Sequence, residues 1–519
     1  MSEVVTIASN AVIAKLHKPS RSVALEVQRV LSYRVDGAEN TMAFKSGGWD
    51  GRSSFYDFRK STFPAGFTQF VAAALRRKGF TVNTVRRPLP EPLGPENPKV
   101  DDFPDDPRYD YQPDTIARLL RHGQIIARLA TGAGKSKVAK LAIARIGRPT
   151  LFLTTRSILM YQMKDAIERD MGISVSVLGD GQFGHTIVDA HGNERQAVKK
   201  VCVGMVQTLV ARLALPDPDD DVDKQNAQAR RRQQTIDLLS KFELVIGEEA
   251  HEAGGNSYYE ILQHCKNAHY RLALTATPFM KDDEESNMRL MAAFGPIGIK
   301  VSEQMLIERG ILAKPYFKIV QLTQQPPKLY RGTAWQAAYR LGIVDGAERN
   351  ASIVYEAVRG AKLGMSVMIL VQQTKHGEKL VATLKAAGVR AAFIRGENDQ
   401  KERKAALARL AKGDLDVLIG TTILDVGVDV PAVGMVILAG GGKAEVSLRQ
   451  RIGRGLRAKK VGPNICLVVD YEDAYNGHLK AHAQQRRAII EGTPGFAENI
   501  LAAGADFDFE GLGLLKKAA

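Results

Sequence analysis

Residues 124–136, QIIARLATGAGKS, decide how the rest of this chain reads. The run opens on QIIARLA, continuously apolar apart from its ends, which is the pattern of a strand buried on both faces. It turns through Gly132 and Gly134 and continues as SKVAKLAIARI, an amphipathic helical pattern. A strand, a glycine-rich turn and a helix in that order make a phosphate loop. The glycines let backbone N–H groups close around an anion, and the helix N-terminus adds positive potential. Thr131, Gly132, Ala133 and Gly134 form the cradle, Lys135 can reach the β- and γ-phosphates, and the Ser136 hydroxyl can ligate Mg²⁺. The strict pattern GxxxxGK[ST] asks for glycine at 129, where this chain has Leu129.

Outward from this stretch, apolar runs alternate with helical patterns. PTLFLTT (149–155), KVCVGMV (200–206), FELVIGE (242–248) and RLALTAT (271–277) read as further buried strands. A second set follows in MSVMILVQQ (365–373), VRAAFIRG (389–396), LDVLIGTT (415–422) and VGMVILAGG (433–441). The alternation predicts two α/β domains, each a doubly wound parallel sheet covered by helices. The prolines of RPLPEPLGPENPKVDDFPDDPR exclude helix and central strand, so the stretch reads as a tether behind a small α+β domain. The expected organisation is an N-terminal domain over 1–87, a Pro-rich linker over 88–107, α/β domains over 108–310 and 311–485, and a tail over 486–519. Residues 215–234 read as a solvated loop running into a helix.

Composition narrows the class. Of 519 residues, 45% are hydrophobic and 25% charged, which excludes wholesale disorder. Cys202, Cys265 and Cys466 lie far apart without a CxxC pair, which excludes a zinc ribbon or disulfide framework and fits a reducing compartment. No apolar run approaches the ~20 residues of a membrane span, and a cytoplasmic protein is expected. Lys and Arg number 72 against 57 Asp and Glu, a net charge of +15 that favours a polyanionic partner.

LVIGEEAH (244–251) places two carboxylates at the end of a buried strand. Adjacent carboxylates repel unless a cation or proton compensates. Glu248 reads as the outer partner of Mg²⁺, largely through water, and Glu249 as the base that orients an attacking water.

ATGAGKS, EEAH, LTATP and QRIGRGLR occur in the order and spacing of superfamily 2 helicases and translocases, and the chain resembles that family over roughly residues 108–472. The resemblance implies two RecA-like domains in tandem, with ATP and Mg²⁺ as nucleotide and metal. It implies that Gln112 reads the adenine and that Arg156, Gln162, Gln207 and Thr208 contact a nucleic-acid backbone from the first domain. Such contacts position a strand without reading sequence. Thr275 and Thr277 would couple nucleotide state to grip. In TTILDVGVDVP (421–431) Thr421 would face nucleic acid, and Gly427 and Asp429 the nucleotide. Gln450, Arg454 and Arg457 would act at the γ-phosphate. Arg454 and Arg457 lie three apart, on one face if helical, as arginine fingers worth about 10³–10⁵ in rate in comparable enzymes. The family's acidic box starts with Asp, and Glu248 adds a methylene, a shift of about 1.5 Å against a strict octahedral metal shell.

The stretch 44–85 interleaves aromatic residues with Arg52, Arg59 and Lys60, a composition suited to nucleic acid and equally to a small aromatic core around Trp49, Phe55 and Phe58. Its WDG layout, with YRLGIVDGAERN at 339–350, is similar to phage UvsW-type recombination helicases, in which such a module is an accessory duplex-DNA binder; Arg52 is the candidate contact. The expectation is an ATP-dependent DNA translocase that remodels branched DNA: Holliday junctions, stalled forks and R-loops. Its partner would be branched or duplex DNA bound without sequence readout, or RNA in hybrids, with no membrane and no zinc. An RNA helicase, or a nucleotide-dependent scaffold with little turnover, stands as the alternative.

Overall fold

The computed structural model describes all residues except 1–2, 104, 189–193, 251–255, 280–282, 396–397, 399, 422–431, 443–451, 454–455, 460 and 516–519. The chain divides into two compact units, residues 1–129 with 134–300 and residues 130–133 with 301–519.

The first unit carries an eight-stranded sheet. In spatial order its strands are Gln182–Phe183, Val175–Gly179, Val201–Met205, Thr150–Thr154, Leu244–Glu248, Tyr270–Thr275, Gln124–Leu129 and Ile297–Val301. The six strands from Val175–Gly179 to Gln124–Leu129 pair in parallel. Every residue of Thr150–Thr154 and Val175–Gly179 is buried, as expected of parallel strands covered on both faces. Because they are parallel, their C-terminal ends share one edge, where ligands gather in such sheets.

A four-stranded sheet of Thr62–Pro64, Ile13–Leu16, Val4–Ser9 and Thr81–Arg86 forms a smaller layer ahead of it. This layer is built onto the larger sheet's helices. Its core of Ile7, Leu16, Phe67 and Leu75 continues into Ala292 and Tyr259, and Phe55 packs edge-on against Tyr259 at 5.5 Å. A Cβ on Gly66 would lie 2.3 Å from the Met291 carbonyl, so only glycine lets the two backbones approach that closely.

The Pro-rich stretch does not hang free between them. Leu93 and Gly94 donate backbone hydrogen bonds to the Ile146 and Arg145 carbonyls at 3.0 and 3.1 Å. Arg148 donates to the Glu91 carbonyl, and the Tyr270 hydroxyl to that of Pro90 at 2.7 Å. Val100 is buried, and Asp101 pairs with Lys137 at 3.1 Å. Its prolines remove ladder donors, and the domain it crosses supplies partners to the backbone at Pro90, Glu91, Leu93 and Gly94. It is a strap.

The second unit carries a six-stranded, wholly parallel sheet in the order Lys314–Gln321, Ile465–Glu472, Met435–Ile437, Val367–Leu370, Val417–Gly420, Ala391–Ile394. The helix Gly477–Glu491 runs across the expected boundary at 485. Residues 500–507 return onto the sheet. Leu501 donates to the Phe317 carbonyl at 2.9 Å, Phe507 is buried, and Asp506 pairs with Lys318 at 2.8 Å and with Arg359 at 2.5 Å. The hydrogen bond from Arg359 holds the Asp506 carboxyl well below the ordinary carboxylate range.

Candidate active site

The phosphate-loop stretch occupies the C-terminal end of the strand Gln124–Leu129 and leads into the helix Lys135–Ile146. Leu129 is the buried last residue of that strand, so the turn begins at Ala130 and the glycine of the strict pattern has no turn to serve at 129. Gly132 and Gly134 take φ of 90° and 81°, a region L side chains rarely adopt. Gly134 caps the helix without a side-chain hydrogen bond, so its first-turn N–H groups are offered by backbone alone. Gln112 is buried, with its amide nitrogen 2.5 Å from where a Cβ on Gly134 would stand. The glutamine and the loop are therefore neighbours.

Lys135 crosses to the adjacent carboxylate pair. Its Nζ lies 3.0 Å from Glu249 Oε1, both side chains nearly nine-tenths buried. Glu248 is the last residue of the strand Leu244–Glu248, and its carbonyl accepts a hydrogen bond from the Tyr258 hydroxyl at 2.8 Å. Glu249 has φ of 44° while its N–H still bonds the Leu274 carbonyl at 3.0 Å. A non-glycine residue held in the left-handed region is strained, and such strain persists where the surroundings over-determine it. Gly247 explains part of that determination, since a Cβ there would meet Phe294 at 2.6 Å and Tyr258 at 3.1 Å. The aromatic pair presses against the strand just ahead of the two carboxylates. Sequence reading missed Tyr258; its signal was the tyrosine ten residues downstream of Glu248, but nothing local showed that it folds back.

The remaining candidates of the first unit share the same edge. Thr275 ends the strand Tyr270–Thr275 fully buried, and its hydroxyl accepts from the Thr277 N–H at 3.3 Å. The Thr277 hydroxyl is buried with no hydrogen-bond partner among the described residues. Arg156 and Gln162 are exposed at the start of the helix after Thr150–Thr154. Gln207 and Thr208 begin the helix after Val201–Met205, with Gln207 donating to the Thr155 carbonyl at 3.0 Å. The register pairs Met205 with Thr154, so these four residues form one neighbourhood. Ser136 is exposed in the first turn of its helix.

Arg52 stands apart from that edge. Its guanidinium donates to the Ser32 carbonyl at 3.1 Å and pairs with Glu284 at 3.2 Å, which fastens the small layer to the helix Glu284–Phe294. Phe58 is 47% exposed, so the aromatic core expected of Trp49, Phe55 and Phe58 rests on Phe55 with Tyr33 and Phe67.

In the second unit Thr421 is buried, just beyond the strand Val417–Gly420, its hydroxyl without a partner among the described residues. Arg457 stands in an isolated antiparallel bridge with Leu312. Arg457 is therefore described in a bridge, while the helical face that the sequence gives it with Arg454 involves a residue outside the described ones. Gly427, Asp429, Gln450 and Arg454 lie outside the described residues.

The residues present fit a nucleoside triphosphate with a divalent cation. Two glycines at positive φ, a helix N-terminus and a lysine face a pair of carboxylates at one sheet edge. Among the described residues no group of three or more His, Cys, Asp or Glu is placed to hold a metal by itself. Among the described residues no helix is long and apolar enough to cross a membrane.

A family model described as the res subunit of type III restriction enzymes matches residues 107–280, and one described as the helicase conserved C-terminal domain matches residues 350–459. The chain belongs to superfamily 2 of the helicases and translocases, an ATP-hydrolysing class, and its two parallel-sheet domains are RecA-like domains in tandem. Within that superfamily it is similar to the ATP-dependent DNA helicase UvsW of enterobacteria phage T4, 22% identical over 472 residues that cover 86% of each chain. It is also 24% identical over 383 residues to the DNA 3'-5' translocase XPB2 of Sulfurisphaera tokodaii, covering 67% of this chain and 78% of that one. The crystal structure of the helicase MrfA bound to DNA shares the fold, with a TM-score of 0.51 at 15% identity over 78% of this chain and 56% of that one.

Proposed function

We propose that this protein is an ATP-dependent DNA translocase that remodels branched duplexes such as four-way junctions, stalled forks and R-loops. The observation that carries the ATP-dependent part is the buried Lys135–Glu249 pair, 3.0 Å apart, at the end of a phosphate loop. With ATP bound, Lys135 turns to the β- and γ-phosphates and releases Glu249 to orient the attacking water. Ser136 and, through water, Glu248 would hold Mg²⁺, which would supply neutralisation of the phosphate charge. Gln112 reads the adenine, and Arg454 and Arg457 stabilise charge developing on the γ-phosphate. Thr275 and Thr277 relay nucleotide state to Arg156, Gln162, Gln207, Thr208 and Thr421, which hold one strand by its phosphates. The similarity to UvsW and XPB2, both named as acting on DNA, supports DNA over RNA, and the resemblance of the WDG stretch to the accessory module of UvsW-type helicases supports a branched substrate.

The test is ATP turnover with single-stranded DNA, linear duplex, a four-way junction and single-stranded RNA, with Glu249→Gln beside the parent. Strongest stimulation by the junction is expected, and a loss of about 10²–10⁴ in Glu249→Gln, the usual worth of a general base. Stimulation by RNA alone would move the protein to RNA remodelling, and unchanged turnover in Glu249→Gln would remove Glu249 from the chemistry.

A further inference from the structure

Residues 322–344, LTQQPPKLYRGTAWQAAYRLGIV, carry three basic side chains and no acidic one, and so do residues 474–490, AYNGHLKAHAQQRRAII. The two stretches meet in the second unit, where a loop ahead of the helix Trp335–Tyr339 lies on the start of the helix Gly477–Glu491. Asn476, 1% exposed, holds them together. Its side-chain oxygen accepts the His478 N–H at 2.9 Å, and its amide donates to the carbonyls of Tyr330, Arg331 and Thr333 at 3.0, 3.2 and 2.9 Å. The Gly477 N–H adds a bond to the Arg331 carbonyl at 3.2 Å, and the Tyr330 N–H one to the Thr333 hydroxyl at 2.9 Å. Glu348, a carboxylate that touches both stretches, is committed to the N–H groups of Thr323 and Gln324 at 3.0 and 2.8 Å and to the Tyr475 hydroxyl at 3.1 Å.

This pinned loop holds side chains out to solvent. Lys328, Tyr330 and Arg331 are exposed, Tyr330 at 66%. Beside them Trp335 is half-buried, its ring 4.5 Å from that of His482 and 6.4 Å from that of the exposed His478. Tyr339, 5.3 Å from Trp335, is buried and donates its hydroxyl to the Gly440 carbonyl at 2.6 Å, which fixes the helix that carries the tryptophan. A small core of Leu329, Ala338, Ile343 and Leu479 accounts for the packed side of Trp335. It does not account for Tyr330, an aromatic ring left in water although its backbone is bonded on both sides, because folding gains only from apolar surface that it buries. A protein partner selects surfaces poor in lysine. Flat aromatic faces set among cationic groups, with the one neighbouring carboxylate already spent, suit a polyanion that has flat faces of its own.

We infer that Lys328, Tyr330, Arg331, Trp335 and His478 form a platform for single-stranded DNA on the second unit. A base stacks on Tyr330, the neighbouring base meets the exposed side of Trp335 and His478, and Lys328 and Arg331 take the flanking phosphates. The strand is unpaired because stacking on a side chain needs a free base face, and a duplex keeps its base faces against one another. The inference rests on the reading of this protein as a DNA translocase and adds to it a holding site for the strand that remodelling a branch releases.

The test is an anisotropy titration of fluorescein-labelled oligo(dT), oligo(U) and a blunt linear duplex with the full chain, without nucleotide, with melting curves to confirm folding. Tyr330→Ala should weaken oligo(dT) binding about tenfold, within the worth of one stacked base, and change duplex affinity less than about twofold. Tyr330→Phe keeps the ring and should bind oligo(dT) within about twofold of the parent. Arg331→Ala should flatten the slope of log affinity against log salt on oligo(dT) by about 0.7, the share of one phosphate; if Tyr330→Ala does not fold, this slope decides. Unchanged oligo(dT) affinity in Tyr330→Ala, an equal loss on the duplex, a larger loss on oligo(U), or an unchanged slope in Arg331→Ala would overturn the inference. ATP turnover by the parent with and without DNA separates the two readings. Stimulation by DNA beside any of those results sinks the platform alone, whereas turnover indifferent to every DNA sinks the translocase reading on which it rests.

Discussion

Two glycine turns in this protein, Ala130–Gly134 and Ala439–Gly442, obey the same local rule and serve opposite ends. Each leaves the C-terminal end of a parallel strand, and each holds two glycines at positive φ, 90° and 81° in the first and 62° and 91° in the second. The first runs directly into a twelve-residue helix that opens on a lysine, with its donors held by backbone alone. The second is pinned by side chains on four successive carbonyls. One turn is arranged to receive an anion and the other to be held still. Glycine content alone separates them no better than composition would; the flanking charge and the source of the hydrogen bonds do.

The sharpest way to break this comparison is to remove the lysine. Lys135→Ala should lower ATP turnover at least about a hundredfold, the worth of a lost electrostatic stabiliser in a transition state. Retained turnover, measured by phosphate release, would leave the first turn with no advantage over the second. The glycines come next. Gly440→Ala drives a Cβ against the backbone of Val371 and Gln372 at 3.0 and 2.9 Å, which should cost about 1–3 kcal/mol, as overpacking does. A lower urea midpoint is expected with KM for ATP little changed. Gly134→Ala meets only the Gln112 amide, at 2.5 Å and φ of 81°, and should raise KM for ATP well beyond its effect on the midpoint. Matching profiles for the two variants would erase the distinction.

A smaller effect lies behind the second turn. His376 is fully buried, bonded to Asn350 at 2.8 Å, and burial, with Arg349 and Lys379 nearby and Asp345 opposing them, pushes its pKa down to about 3 from 6.5. The folded value is depressed, so the unfolded chain binds a proton between pH 6.5 and 3 that the folded chain refuses. Stability is therefore full above pH 6.5 and falls as pH falls, by up to about 1.4 kcal/mol per pH unit from this ring. Urea midpoints at pH 7.5 and 5.5 should differ less in His376→Gln than in the parent; an equal difference would assign the acid sensitivity elsewhere. The smallest effect concerns Arg52, whose partner Glu284 is half exposed. Arg52→Ala should cost no more than about 1 kcal/mol, as surface pairs do, and leave duplex affinity within about twofold. A clear loss of affinity in a filter-binding titration would return Arg52 to the DNA surface.

Much of the first α/β domain was legible because its strands are buried on both faces and therefore announce themselves as apolar runs, as LVIGE and QIIARL do. Strands with polar or proline-bearing sequence were not. Lys314–Gln321 begins KPYFK and Val175–Gly179 alternates as VSVLG, and neither run is apolar enough to stand out before its neighbours supply the pairing. The phosphate loop and the carboxylate pair were legible in kind, since Lys135 and Glu249 need only their own strand ends to be placed. Their 3.0 Å approach depends on the order of strands in the sheet, which puts Leu244–Glu248 and Gln124–Leu129 one strand apart.

The sequence by itself determined the chemistry on offer: a glycine turn before Lys135, adjacent carboxylates at 248 and 249, arginines at the end of QRIGRGLR and an excess of basic charge. These are local, because a turn, a strand end or a charge needs no distant partner to exist. Only the tertiary structure decided which groups are committed to holding the fold. It spent Arg52 on Glu284, turned the Pro-rich stretch into a strap, and set Arg349 and Arg486 around Asp470 and Asp473. A charged side chain reads identically in sequence whether it faces solvent or another charge. Only burial, which arises when segments over a hundred residues apart close on each other, makes the pairing obligatory.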